Sequence, residues 1–209
     1  GAGRSMTSNS KGRITAVPTE IDDQSIDAYQ VDASPALTVI HALYELMPHP
    51  PDLLIAGINY GENLGSDTTI SGTVGAALQG AVSGVPALAV SLQTPKETHN
   101  DPDDSVDFSA AIHFTRLFAR RLLEIDLPPD VDVLKVDVPD DATTQTPWRL
   151  TRASRQAYFV TVPPQRNSME DPLVLDYDTL THPEHAESDS DIYALAVDRV
   201  VSVSPLSID

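Results

Sequence analysis

The sequence predicts an α/β fold: a central, mostly parallel sheet with helices on both sides and a β-rich C-terminal extension. Three observations carry that expectation. Short uninterrupted apolar runs recur at Leu53 to Ala56, at Ala87 to Val90 and within Val131 to Val138, the pattern of strands covered on both faces. Stretches with helical spacing alternate with those runs. From Thr143 onward the character changes to short strands, prolines and acidic loops. The expected division is a core over residues 1–142 and an extension over residues 143–209 that closes back on it.

Each element has its own signal. Ser34-Pro35 caps a helix expected to reach about Met47, with Leu37, Ile40, Leu43 and Tyr44 at helical spacing. Pro48, Pro50 and Pro51 force an extended entry into the strand at Leu53 to Ala56. Gly57 is expected to end that strand. Asn59, Gly61, Asn63 and Gly65 follow in a segment too rich in glycine for regular structure. Ser71 is a plausible N-cap, with Thr73, Val74, Ala76, Ala77, Leu78 and Ala81 in helical sequence behind it. Gly84-Val85-Pro86 stops this helix before the strand at Ala87 to Val90. The result is a βαβ unit, whose crossover is right-handed in nearly all proteins. Thr98 to Asp107 reads as a solvated acidic loop. Phe108 to Leu123 follows as an amphipathic helix with Phe108, Ile112, Phe118 and Leu122 as core candidates, and Val131 to Val138 as a further strand.

Chemistry in such a unit sits at the carboxyl end of the strand, where the next helix points its free N–H groups outward. Ser71-Gly72-Thr73 offers two hydroxyls, several N–H donors and a positive dipole end to an oxyanion such as phosphate. Asn59, just past the strand, can present a side-chain oxygen to a hard cation. Ordinary turn and capping chemistry accounts for the same residues. The density of Gly57, Gly61, Gly65, Gly72, Asn59, Asn63, Asp67, Ser71 and Thr73 in one long connection favours a binding loop. Elsewhere the signals are quieter. His182 and His185, with Glu184, Glu187, Asp189 and Asp191, read as an exposed loop ahead of a metal site. Arg152 and Arg155 read as partners of the many aspartates ahead of a phosphate clamp, and Trp148 as packing. No role is assigned to His41, His49, His99 or His113. The chain carries no Walker A loop, no G-x-S-x-G elbow and no dinucleotide fingerprint.

The run GINYGENLGSDTTISGTVGAALQGAVSGVPALAVS resembles, long and without gaps, the signature region of the SurE family of survival-protein nucleotidases and acid phosphatases. It departs from the family pattern at Ala56, usually Ser, and at Gln79, usually Glu. Gly1 to Ser5 resembles the G-V-G-R-S loop. Ser34-Pro35-Ala36 resembles G-T-P, with Ala33, Leu37 and Thr38 replacing the usual Gly, Asp and Cys. Val136 to Pro139 is similar to the N-x-N-V-P strand end, Arg149 to Arg155 to the R-x-T-R-x-x-R run, and Tyr193 with Val200 to Pro205 to the closing motif.

The resemblance implies a Rossmann-type three-layer fold whose C-terminal extension is exchanged between subunits in homodimers or homotetramers. It implies hydrolysis of nucleoside monophosphates, or other phosphomonoesters, to alcohol and phosphate with a divalent cation, Mg²⁺ or Mn²⁺. Asn59, Ser71 and Thr73 are the catalytic candidates it points to. Ser71, Gly72 and Thr73 would hold the phosphoryl oxygens and Asn59 would ligate the metal, with Asn63 and Asp67 shaping the loop and Ser5 nearby. The family pattern opens with an N-D-D-G strand whose aspartates bind the metal, and a serine ligand precedes the G-x-G-R-S loop. Of the four usual ligands this chain carries Asn59. The expectation therefore divides between a piece of a longer enzyme and a catalytically impaired phosphate-binding or assembly protein.

Composition bounds the setting. There are 31 acidic and 13 basic residues for a net charge of −18, with 23 Asp against 8 Glu and only 3 Lys. That balance suggests a surface adapted to molar salt and disfavours binding to a nucleic-acid backbone. No cysteine is present, so disulfides and thiolate sites are excluded, in keeping with a cytoplasmic setting. No apolar run approaches membrane-spanning length.

Overall fold

The computed structural model describes residues 12–99, 105–166, 168–171 and 176–208. Its centre is a five-stranded sheet in the order β3-β4-β5-β9-β6. Here β3 is Leu54–Tyr60, β4 Ala87–Leu92, β5 Val133–Val138, β6 Trp148–Leu150 and β9 Val201–Leu206. Strands β3, β4 and β5 run parallel, β9 is antiparallel to β5, and β6 is parallel to β9. The predicted parallel core is therefore present, and the C-terminal strand completes the main sheet by entering between β5 and β6.

Strand β4 shows how the sheet chooses its layers. Ala87 and Ala89 face the layer formed by α1 (Pro35–His41) and α2 (Gly72–Val82), whereas Leu88, Val90 and Leu92 face α3 (Ser109–Glu124). Small residues on the α2 side let that helix approach closely. A Cβ placed on Gly80 would lie 2.8 Å from the Leu54 side chain. The large residues on the other side meet Phe114, Phe118 and Leu122 of α3 in the main core cluster. Burial of these side chains is the dominant favourable term in such a fold.

Several boundaries differ from expectation. Gly57 does not end β3. The strand continues to Tyr60 through an irregularity between Ala56 and Asn59, the Gly57–Ile58 peptide is cis, and Gly57 adopts φ 117°. The first helix is α-helical only to His41 and closes in a π-helical turn over Ala42–Leu46. In α3 the expected core residue Ile112 is 42% exposed, on the outer face of the helix. Strand β5 starts at Val133 rather than Val131.

Elements that the sequence reading did not name complete the chain. Strands β1 (Ile14–Ile21) and β2 (Gln24–Val31) form an antiparallel hairpin. Its two-residue turn, Asp22-Asp23, holds both residues at positive φ, as a tight hairpin requires. Strands β7 (Phe159–Val162) and β8 (Asp176–Thr179) pair as a second hairpin. Helix α4 (Asp191–Ala196) packs Ile192 and Leu195 with Leu64 and Tyr158 in a separate cluster. No helix among the described residues is long and apolar enough to cross a membrane.

Candidate functional site

Because β3, β4 and β5 are parallel, the connections leaving their carboxyl ends gather at one edge of the sheet. The connection from Gly61 to Ser71 is held there by a buried polar clamp. Lys135 and Asp137 stand on β5 on the same face as Ala89 and Ser91 of β4. The Lys135 ammonium donates to Asp137, to Asp191 Oδ2 at 3.1 Å and to the Asn63 carbonyl at 2.8 Å. Asp137 Oδ1 accepts from the Asn63 N–H at 2.8 Å, and Asn63 Nδ2 donates to Ser91 Oγ at 2.7 Å. Asp191 accepts from the N–H groups of Gly65, Ser154 and Ile192. Burial alone would push the Lys135 ammonium down, but Asp137 and Asp191 reverse this and hold it above the ordinary lysine value. The clamp fixes the loop to β5 and to α4. It also corrects the expectation of an exposed acidic loop, since Asp191 at that loop's end is completely buried.

Asp67 shapes the next part of the connection. A 3₁₀ turn over Ser66–Thr69 brings its Oδ2 to accept from the N–H groups of Tyr158 and Phe159 at 2.9 and 2.8 Å. This pins the start of β7 over the loop and creates a hollow of about 470 Å³. Asn59, Glu62, Ile70, His99, Phe159 and Tyr177 are among the residues that line it. Glu62 is only 4% exposed, and its Oε2 finds no hydrogen-bond partner among the described residues. Burial, with the Asp137 and Asp140 carboxylates adding to it, pushes the Glu62 carboxyl up to about 7. The Tyr158 hydroxyl beside it is pushed up to about 12 by burial and by Glu62.

The residues singled out from the sequence fall as follows. Asn59 spends both Nδ2 hydrogens on the carbonyls of Tyr60 and Gly61, at 3.0 and 2.6 Å. Its Oδ1 is the atom left to accept. Ser71 is the N-cap of α2, its Oγ accepting from the Val74 N–H at 3.1 Å. This leaves the N–H groups of Gly72 and Thr73 without an intrahelical acceptor, as at any helix start. Thr73 lines a second hollow of about 410 Å³ beside β3, with Gly57, Thr38 and Pro35. Asn59 and Thr73 thus line two different hollows rather than one cavity. Ser5, with Gly1 to Arg4, lies outside the described residues, as do residues 100–104 of the acidic loop.

The match extends well beyond the signature. The profile of the survival protein SurE family covers residues 1–160. The chain belongs to the SurE family. A protein from Thermococcus gammatolerans named 5'-nucleotidase SurE is 38% identical over 208 residues, covering all of this chain and 76% of that protein. One of the same name from Thermococcus kodakarensis is 36% identical over 212 residues, covering all of this chain and 78% of that protein. The crystal structure of the SurE protein from Aquifex aeolicus matches with a TM-score of 0.73 at 26% identity, over 99% of this chain and 77% of that one. The α/β fold inferred from the SurE-like signature is the fold observed.

Within this SurE framework the sequence reading missed Glu62, His99, Phe159 and Tyr177. Glu62 sat inside the recognised signature, but nothing in one sequence says that a loop glutamate becomes buried. The other three arrive from separate segments. Arg152 behaves as expected, bonding Asp189 at 2.9 Å and approaching Glu187 at 3.5 Å. Trp148 packs edge-on to Phe118 with ring centres 5.3 Å apart.

Metal ligation is more limited. Among the described residues no group of three or more His, Asp or Glu is placed to hold a metal ion. Asn59 offers one neutral oxygen, which alone binds a divalent cation weakly. These residues do not build a metal site by themselves.

Proposed function

We propose that this chain carries the phosphate-handling half of a phosphomonoesterase that hydrolyses nucleoside monophosphates to nucleoside and phosphate. The observation supporting it most strongly is the family match across the loop that leaves the carboxyl end of β3, in a chain whose relatives are named 5'-nucleotidase SurE. Gly72 and Thr73 would donate their N–H groups, and Thr73 its hydroxyl, to the phosphoryl oxygens at the positive end of α2. Such fixed donors oriented toward developing negative charge lower the barrier without reorganising during reaction. Ser71 acts mainly by holding the helix start, since its hydroxyl already caps Val74. Asn59 Oδ1 would contribute one ligand to Mg²⁺ or Mn²⁺, and exchange of the segment 143–209 between subunits would give a homodimer or homotetramer.

The test is phosphate release from AMP by the chain in high salt with Mg²⁺ or Mn²⁺. Phosphate is expected to bind, about tenfold more weakly in Thr73→Val. Release from AMP is expected only where the metal ligands that the described residues lack are supplied, and is then abolished by chelation and lowered about a hundredfold by Asn59→Ala. Turnover unaffected by both substitutions refutes the site. Phosphate or nucleotide binding without turnover makes the chain a binding module, and a stable oligomer with neither makes it an assembly subunit. Light scattering on the same preparation reads the subunit number.

A further inference from the structure

Helix α3 is out of keeping with the acidic chain it belongs to. No acidic residue falls between Phe108 and Leu123, although the 209 residues include 31 of them. Three of the 13 basic residues stand on this helix instead, and Arg116, Arg120 and Arg121 are all exposed. Arg149, Arg152 and Arg199 each hold carboxylates. Arg116 and Arg120 make no ion pair among the described residues, despite the surplus of acid. Arg121 is spent on the Trp148 ring, 5.2 Å from its centre, and its place in the last turn suits the helix dipole. The dipole does not account for Arg116 in the middle of the helix. Ala111, Phe114, Phe118 and Leu122 turn inward to the core cluster. On the outer face Ile112, Arg116, Arg120 and Leu123 follow one another at helical spacing. Ile112 is 42% exposed and Leu123 58%. Arginine beside aliphatic side chains, with Asp and Glu absent, is the composition of the covered centre of a protein interface.

We infer that the outer face of α3 docks a short acidic protein segment, whose carboxylates bond Arg116 and Arg120 while its apolar side chains cover Ile112 and Leu123. Charge complementarity selects this occupant. A second copy meeting the face about a two-fold axis would set arginine against arginine. A nucleic-acid backbone matches the arginines but brings a long run of phosphates against a net charge of −18. A short segment brings only the few charges that the arginines neutralise. Bidentate arginine–carboxylate bonds act at contact, so they outlast the screening that removes longer-range attraction in concentrated salt. The inference is independent of the nucleotidase reading, because no residue of the loop after β3 takes part.

The probe is a fluorescent synthetic peptide in which Glu and Leu recur at helical spacing, titrated with the chain in about 1 M KCl and read by anisotropy. The same peptide with Lys for every Glu, and a fluorescent DNA duplex, are titrated beside it. The Glu peptide is expected to bind and the Lys peptide is not. Joint substitution Arg116→Glu with Arg120→Glu, and Leu123→Ser alone, should each weaken binding about tenfold or more. Arg116→Lys with Arg120→Lys should weaken it less, because lysine keeps the charge and loses only the bidentate geometry. All four positions are exposed, so matching thermal unfolding curves are expected and establish that the variants are folded. A Glu peptide that does not bind, or that binds every variant alike, overturns the inference, as does tighter binding of the DNA duplex. Sedimentation velocity closes the remaining route: an assembly in the wild type that the Glu substitutions dissociate would give this face to a second copy and overturn the inference as well.

Discussion

Glu62 is the residue whose environment most departs from what its chemistry prefers. A carboxyl with an ordinary value near 4.5 is held at about 7 because burial disfavours its charge. The sign follows from proton counting. Between about pH 4.5 and 7 the folded protein binds the Glu62 proton and the unfolded chain does not, so raising the pH through this window destabilises the fold. The loss is complete above the folded value and amounts to on the order of 3 kcal/mol. Other carboxylates, such as Asp176 and Asp189, are held low by Lys96 and Arg152 and push stability the opposite way at lower pH. The difference between wild type and Glu62→Gln isolates the residue. Urea unfolding at pH 5 and pH 8 (about the two edges of the window) should show the wild type losing stability relative to Glu62→Gln. Parallel profiles for the two proteins would show that Glu62 is ionised in the fold.

At the scale of elements, the clamp of Lys135, Asp137 and Asp191 joins three pieces that no local propensity would bring together: β5, the connection after β3, and α4. Removing the lysine leaves two buried carboxylates facing each other without their cation. Lys135→Met is expected to cost about 3–5 kcal/mol. Because Asp191 also holds the N–H groups of Gly65 and Ser154, amide exchange at those two positions should accelerate along with the global loss. A variant of unchanged stability would mean that the pair is no more than an apolar contact in disguise. The same elements show what was legible in the sequence. Strands β4 and β5 were readable because burial on both faces writes a continuous apolar run, though Lys135 and Asp137 interrupt it for a reason only the fold supplies. The Ser71 cap was readable because it is local. Gly57 was misread as a terminator: a Cβ there would meet the Val90 carbonyl of β4 at 2.3 Å, so the glycine permits a close approach between β3 and β4. The β1–β2 hairpin went unnamed because its polar, exposed residues write no core face, and α4 because six residues are too few to show a helical period. Asn59 was expected just past the strand and lies within it, because β3 runs on through Gly57 to Tyr60. The cluster of Phe159, Tyr177 and His99 was not legible, since these residues meet only through tertiary contacts.

For the whole molecule, the governing quantity is a net charge of −18 on a 22.5 kDa chain. Arginines already serve the densest acidic sites: Arg199 bonds both Asp140 and Asp141, Arg149 bonds Asp198, and Arg152 bonds Asp189. With 13 basic residues against 31 acidic ones, most surface carboxylates can find no cationic partner. Self-repulsion of that excess opposes the compact state and relaxes when the chain expands. Salt shortens the reach of this repulsion, from about 8 Å at physiological ionic strength to about 3 Å at 1 M. It also weakens the exposed ion pairs, but each of those contributes at most about 1 kcal/mol, and the unpaired charges outnumber them. The buried clamp at Lys135 is beyond the reach of mobile ions and keeps its strength. Stability should therefore rise with KCl, the thermal midpoint climbing by roughly 5–10 °C between about 0.1 M and about 2 M. KCl separates screening from the general stabilisation that sulfate gives every protein by exclusion from its surface. Scanning calorimetry across that range decides the matter. A midpoint that stays level or falls would mean that the ion pairs outweigh the repulsion, and that the aspartates are no adaptation to salt.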